Sequence, residues 1–88
     1  MPYIKKENRE RLDVPLNQLR IEIKKQCTPG ELNYIITMLC RQYLESRGKN
    51  YTHINDIIGV LECCKKEFYR RIVGPYEDIK IIENGDCY

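Results

Sequence analysis

A lysine set inside an apolar arc is the first residue of this chain that poses a chemical question. Between Thr52 and Pro75, the residues Ile54, Ile57, Ile58, Leu61, Phe68, Tyr69 and Ile72 recur at helical spacing. At about 100° per residue, Lys65 points into the middle of that arc and Glu62 onto its border. Three readings stay open. The lysine methylenes can cover a core edge while the ammonium reaches water. The ammonium can pair with Glu62 or with an acid on a neighbouring helix, since a buried charge is tolerated only when paired. Or it can bind an anion, together with Arg70, Arg71 and the rings of Tyr69 and Tyr76. That last arrangement would suit an anionic nucleotide, held by charge and stacking.

Other chemistry has less to work with. The single histidine, His53, falls in the first turn of its helix, on the side away from the apolar arc, where a capping or surface role is the simple one. The five cysteines are Cys27, Cys40, Cys63, Cys64 and Cys87, with no Cys-x-x-Cys pair among them. Cys63 and Cys64 are adjacent, so a helix turns them about 100° apart and away from a shared ion. Cys40 and Cys64 read as small buried hydrophobes. No metal site and no cofactor are expected. There is no Gly-x-Ser-x-Gly, no phosphate-cradling loop and no carboxylate pair in an apolar setting, so no catalytic residues are assigned and an enzyme is not expected.

A different signal lies on the outer faces. Tyr34 and Met38 stand at i, i+4, opposite the main apolar face of their helix. Gly59, Val60 and Cys63 form a small-residue strip opposite the main face of the next. Glycine inside a helix costs about 1 kcal/mol relative to alanine, and close approach of another backbone would compensate Gly59. Either another chain covers these stripes, or the first helix or the C-terminal segment covers them within one monomer.

The elements that position these residues are helices with marked ends. Asp13-Val14-Pro15 reads as a helix start, with Asp13 as cap and proline in the first turn. Leu12, Leu16, Leu19 and Ile23 follow as a narrow seam of coiled-coil type, suited to one partner helix. Thr28-Pro29-Gly30-Glu31 is a capping box, and Leu32, Ile35, Ile36, Leu39, Cys40, Tyr43 and Leu44 form the face behind it. Gly48 should stop that helix. Thr52 reads as the next cap, Gly74 as a left-handed stop and Pro75 as the block beyond it. Beyond Pro75, Ile79 and Ile81 alternate with charges in an extended segment, and Asn84-Gly85 signals a turn. The spacing therefore predicts an all-α domain over residues 1–88. Its main helices are 14–26, 29–47 and 53–73, with an N-terminal arm or short helix at 1–12 and an extended C-terminal tail at 76–88.

Composition narrows the partners. The chain has 88 residues, 42% hydrophobic and 32% charged, with seven tyrosines and no tryptophan. A domain this small has a thin stability margin, and oligomerisation is a common way to widen it. Tyrosine suits contact surfaces, where its ring is covered while its hydroxyl stays hydrogen-bonded. Fifteen basic and 13 acidic residues leave a net charge of +2, which argues against nucleic-acid binding by bulk charge. A helix-turn-helix reading fares no better, since its second helix would open His53-Ile54-Asn55-Asp56, poor in base-reading arginine. No membrane segment or signal region is visible, and a cytoplasmic protein with free thiols is expected.

The strings Pro29-Gly30-Glu31-Leu32-Asn33-Tyr34, Gly59-Val60-Leu61-Glu62-Cys63, Glu67-Phe68-Tyr69-Arg70-Arg71 and Pro75-Tyr76-Glu77-Asp78 carry a resemblance, with Tyr51, Ile54-Asn55, Asn84-Gly85-Asp86 and Met1-Pro2-Tyr3-Ile4. Together they resemble a family of small uncharacterised bacteriophage and prokaryotic proteins, a domain of unknown function, over nearly the whole chain. The resemblance implies no activity. It implies a phage or mobile-element setting, in which small non-enzymatic proteins often block a host defence protein or sequester a defence signal. The expected function is thus a non-enzymatic, self-associating binding module acting on a host or phage protein. The alternative is a binder of an anionic nucleotide signal.

Overall fold

The first helix, α1, runs over Lys6–Lys25 in the computed structural model, which describes residues 2–88. It therefore begins eight residues before the expected start at Val14, and Asp13 is not its cap. Residues 6–12 are mostly good helix formers with opposite charges four apart, such as Glu7 and Arg11, and this local preference carries the helix back through the expected arm. Pro15 consequently lies inside α1. Glu7 near the start and Lys24 and Lys25 near the end suit the helix dipole. Gln26 ends the helix in extended backbone, its N–H donating to the Glu22 carbonyl at 3.2 Å.

Helix α2, Pro29–Arg47, has the ends expected of it. The Thr28 Oγ1 accepts from the Glu31 N–H at 3.1 Å, and the Thr28 N–H donates to Glu31 Oε1 at 2.9 Å. Hydrogen bonding to the carboxyl from Thr28, from its backbone N–H first and then from its side chain, holds the Glu31 pKa below its usual value. At the other end Gly48 has φ 98°, a left-handed value that a side chain would strain, and its N–H donates to the Leu44 carbonyl at 2.8 Å.

The capping box makes a testable pair of expectations. Thr28→Ala should cost about 1 kcal/mol in a denaturant titration. Because the folded-state pKa of Glu31 is depressed, its contribution is present at neutral pH and disappears as the pH falls below the ordinary glutamate range. Glu31→Gln, which keeps an acceptor without the charge, should flatten that acid limb in helicity against pH; an unchanged acid limb would remove Glu31 from the account.

Helix α3 covers Tyr51–Phe68. Thr52 lies within it, and the cap is Asn50. The Asn50 Oδ1 accepts from the His53 N–H at 2.9 Å, and the Asn50 carbonyl accepts from Ile54 at 3.0 Å. Asparagine ranks above threonine as a cap, so the helix starts two residues before the expected Thr52. The expected stop at Gly74 is also corrected. Gly74 is right-handed, with φ −55° and ψ −56°, and its N–H donates five residues back to Tyr69. Residues Tyr69–Val73 form a π turn that leads directly into a fourth helix, α4, at Gly74–Asn84. Proline is admissible in the first turn of a helix, and one extra residue in the preceding turn gives its ring room without breaking the chain of hydrogen bonds. The segment expected as an extended tail is thus helical as far as Asn84. The true stop is Gly85, at φ 90°, with its N–H on the Ile81 carbonyl at 2.8 Å.

All the secondary structure among the described residues is helical. The chain falls into two units, residues 2–57 and 58–88. The first contains α1, α2 and the opening turns of α3; the second holds the rest of α3, the π turn and α4. In neither unit do the apolar faces close on one another. Among the described residues every large aliphatic side chain keeps substantial exposure, from 38% at Leu12 and Leu61 to 84% at Ile82, or lies in the half-buried class.

Candidate functional site

The setting of Lys65 decides what the arc around it can do. Its ammonium lies 3.2 Å from Glu62 Oε2, with the side chain 65% exposed. Spacing of three residues places the two on one helix edge, where such pairs form readily and are worth only a few tenths of a kcal/mol. Lys66 reaches the other Glu62 oxygen at 3.9 Å. The lysine is therefore paired and wet rather than embedded.

The remaining residues expected to bind an anion lie on open helix surface. Arg70 turns to its own helix neighbour, Nη2 donating to Glu67 Oε1 at 2.6 Å and Nε to the same oxygen at 3.1 Å. Tyr69 and Arg71 are exposed on the π turn. Tyr76 has a cation over its ring, but it is Lys80, at 5.5 Å from the centroid, and not Lys65. Lys80 also pairs with Glu83 at 3.0 Å. Tyr76, Lys80 and Glu83 thus form a linked row on α4, which sequence reasoning missed because it read this segment as extended.

The residues expected at an interface are uncovered. Tyr34 is 59% exposed and Val60 57%, and Met38 and Cys63 are exposed as well. A Cβ built on Gly59 would meet nothing within 4 Å. No neighbour within the described chain requires glycine there, so its cost of about 1 kcal/mol stands uncompensated in the single chain. Tyr34 also borders a shallow open groove of about 210 Å³ between the end of α1 and the start of α2, beside Ile23, Cys27 and Ile35.

Polar contacts in the first unit serve the α2–α3 connection. The Tyr43 hydroxyl donates to Asp56 Oδ2 at 3.3 Å, and the Arg47 guanidinium stacks over the Tyr43 ring at 4.6 Å. His53 Nδ1 lies 2.8 Å from the Gly48 carbonyl, which can only accept, so that nitrogen carries the proton. The histidine caps the end of α2 while its own amide is capped by Asn50. Among the described residues no three His, Cys, Asp or Glu side chains gather as a metal site, and all five cysteines are free thiols. No helix among them is long and apolar enough to cross a membrane.

What these surfaces can do chemically is bury apolar area. Lys65 and Arg70 are engaged with acids on their own helix edge, whereas the apolar stripes stay exposed. A family model described as a domain of unknown function, DUF6899, matches residues 1–87, and the chain belongs to that family. No curated protein and no solved structure matches it.

Proposed function

We propose that this member of the DUF6899 family is a non-enzymatic helical interaction module that completes its fold by self-association. The observation that carries the reading is the outward apolar surface. Within the first unit Leu12, Leu16, Ile21 and Ile23 are 38–50% exposed and Leu39 58%, and within the second Ile58 is 61%, Phe68 60% and Ile72 55%. Each Å² of such apolar surface that a partner covers contributes about 25 cal/mol. The stripes at Leu12 to Ile23, at Tyr34 and Met38, and at Gly59, Val60 and Cys63 are the surfaces available for this.

The resemblance to small phage proteins supplies the class of a further partner, a host or phage protein bound by whichever face self-association leaves open. Light scattering across concentrations tests the first step. Expected is a mass at least twice that of the chain at tens of micromolar; a monomer at the highest attainable concentration sinks the reading. Recovery of one host protein from infected cells, lost on Tyr34→Asp, is the expected result for the second.

A further inference from the structure

We propose that α1 pairs antiparallel with α1 of a second copy of this chain, along Leu12, Leu16, Leu19 and Ile23. The inference rests on the self-association reading and names one of its surfaces and the orientation of the partner. These four residues follow a spacing of four, three and four, so they fall on the two seam positions of a heptad. Leu12, Leu16 and Ile23 are 38–39% exposed and Leu19 is half-buried, whereas Val14 on the reverse of the helix is 72% exposed. A seam two residues wide per heptad fits one helix, and in this unit no helix lies on it.

Charge selects the occupant and its direction. Asp13 and Arg20 occupy equivalent flanking positions one heptad apart, on the same edge of the seam. They lie 3.6 Å from one another along that edge, with side chains 48% and 60% exposed. In an antiparallel pair this edge meets its own copy. Asp13 then faces the partner's Arg20 and Arg20 faces the partner's Asp13, so both contacts are between opposite charges. In the same register Leu12 layers on the partner's Ile23 and Leu16 on the partner's Leu19, leaving no seam residue without an apolar mate. Arg9, which continues the seam toward the N-terminus, comes to the C-terminal end of the partner's helix, where a cation is favoured. The opposite edge sets Pro15 against the partner's Glu22, with no like charges.

A parallel pair does none of this. Its flanks would bring Pro15 beside the partner's Arg20 and Glu22 beside the partner's Cys27, which lies beyond the helix end. Asp13 would have no cation across the seam, and Arg9 would meet the partner's Arg9. Exposed ion pairs contribute little affinity, but they discriminate orientation, because the wrong arrangement loses them.

The test uses two full-length chains, one carrying Asp13→Arg and the other Arg20→Asp. Each alone turns both contacts into like-charge contacts, and its self-association should weaken roughly tenfold relative to the natural chain. Mixed in equal amounts, the two chains restore opposite charges at both contacts. Native mass spectrometry of the mixture should show the mixed pair in excess over either homodimer, with an affinity within about twofold of the natural chain's. Circular dichroism at matched concentration checks that each chain folds. In 1 M NaCl the differences between variants should shrink. Single variants that associate as well as the natural chain, or a mixture that merely averages its components, overturn the α1 pairing. That result would leave self-association through other faces intact. A natural chain that stays monomeric overturns both.

Discussion

Diluting the protein should unfold it. Helices in proteins draw most of their stability from the packing of an amphipathic face, and α1, α2 and α3, of 18–20 residues, each carry such a face. Their stability must come from covered apolar faces, and within each unit those faces stay open. Folding and association should therefore be one step. Far-UV circular dichroism at about 100 μM should show strong helicity, and the signal should fall by more than half at concentrations below the dissociation constant of the assembly. The midpoint of thermal unfolding should rise with protein concentration, by several degrees per tenfold increase for a chain of this size. Helicity and midpoint that hold constant from micromolar to nanomolar would mean that a single chain closes its own core, and the interaction reading would then lose its foundation.

The second large effect is expected at Pro15. Inside a helix, proline removes one backbone hydrogen bond and presses its ring against the preceding turn, at a cost of about 3 kcal/mol relative to alanine. Proline also restricts the unfolded chain, which offsets less than 1 kcal/mol of that cost. Pro15→Ala should thus raise the urea midpoint by the equivalent of about 2 kcal/mol, with an unchanged slope, when compared at equal protomer concentration. The experiment also separates two placements of the helix start. If the helix began at Val14, residue 15 would sit in the first turn, where proline is preferred, and alanine would bring no gain. A null or destabilising result would move the start of α1 back to the position that Asp13 suggested.

Local signals were the most legible part of the sequence. The capping box at Thr28 and Glu31, and the stop at Gly48, involve groups within a few residues of each other, so spacing alone identifies them. The misreadings came where two local rules competed. Asp13-Val14-Pro15 satisfies the rules for a helix start, but the helix-forming run before it outweighs them. Gly74-Pro75 satisfies the rules for a stop, yet glycine can equally be right-handed, and proline can open a helix as well as follow one. Thr52 was read as a cap, but Asn50, two residues before it, is the stronger capping residue and takes that place. The expected site was less legible for another reason. Spacing showed that Lys65 points along the apolar arc. Whether that arc is wet depends on what touches it, and such contacts are not local.

The π turn at Tyr69–Val73 acts on α4 as a phase shift. Upstream, Ile58, Leu61, Lys65, Phe68 and Ile72 follow one line at alternating spacings of three and four. In an uninterrupted α-helix that line would continue through Pro75, Ile79 and Ile82. The one extra residue rotates everything after it by about 100°. Tyr76, Lys80 and Glu83 now lie on the line, joined by the ring contact and the ion pair, while Ile79 and Ile82 are carried off it. A single long apolar seam has become two short ones that face different directions. One straight helix cannot cover both, so whatever covers this unit must either turn with it or come from two places.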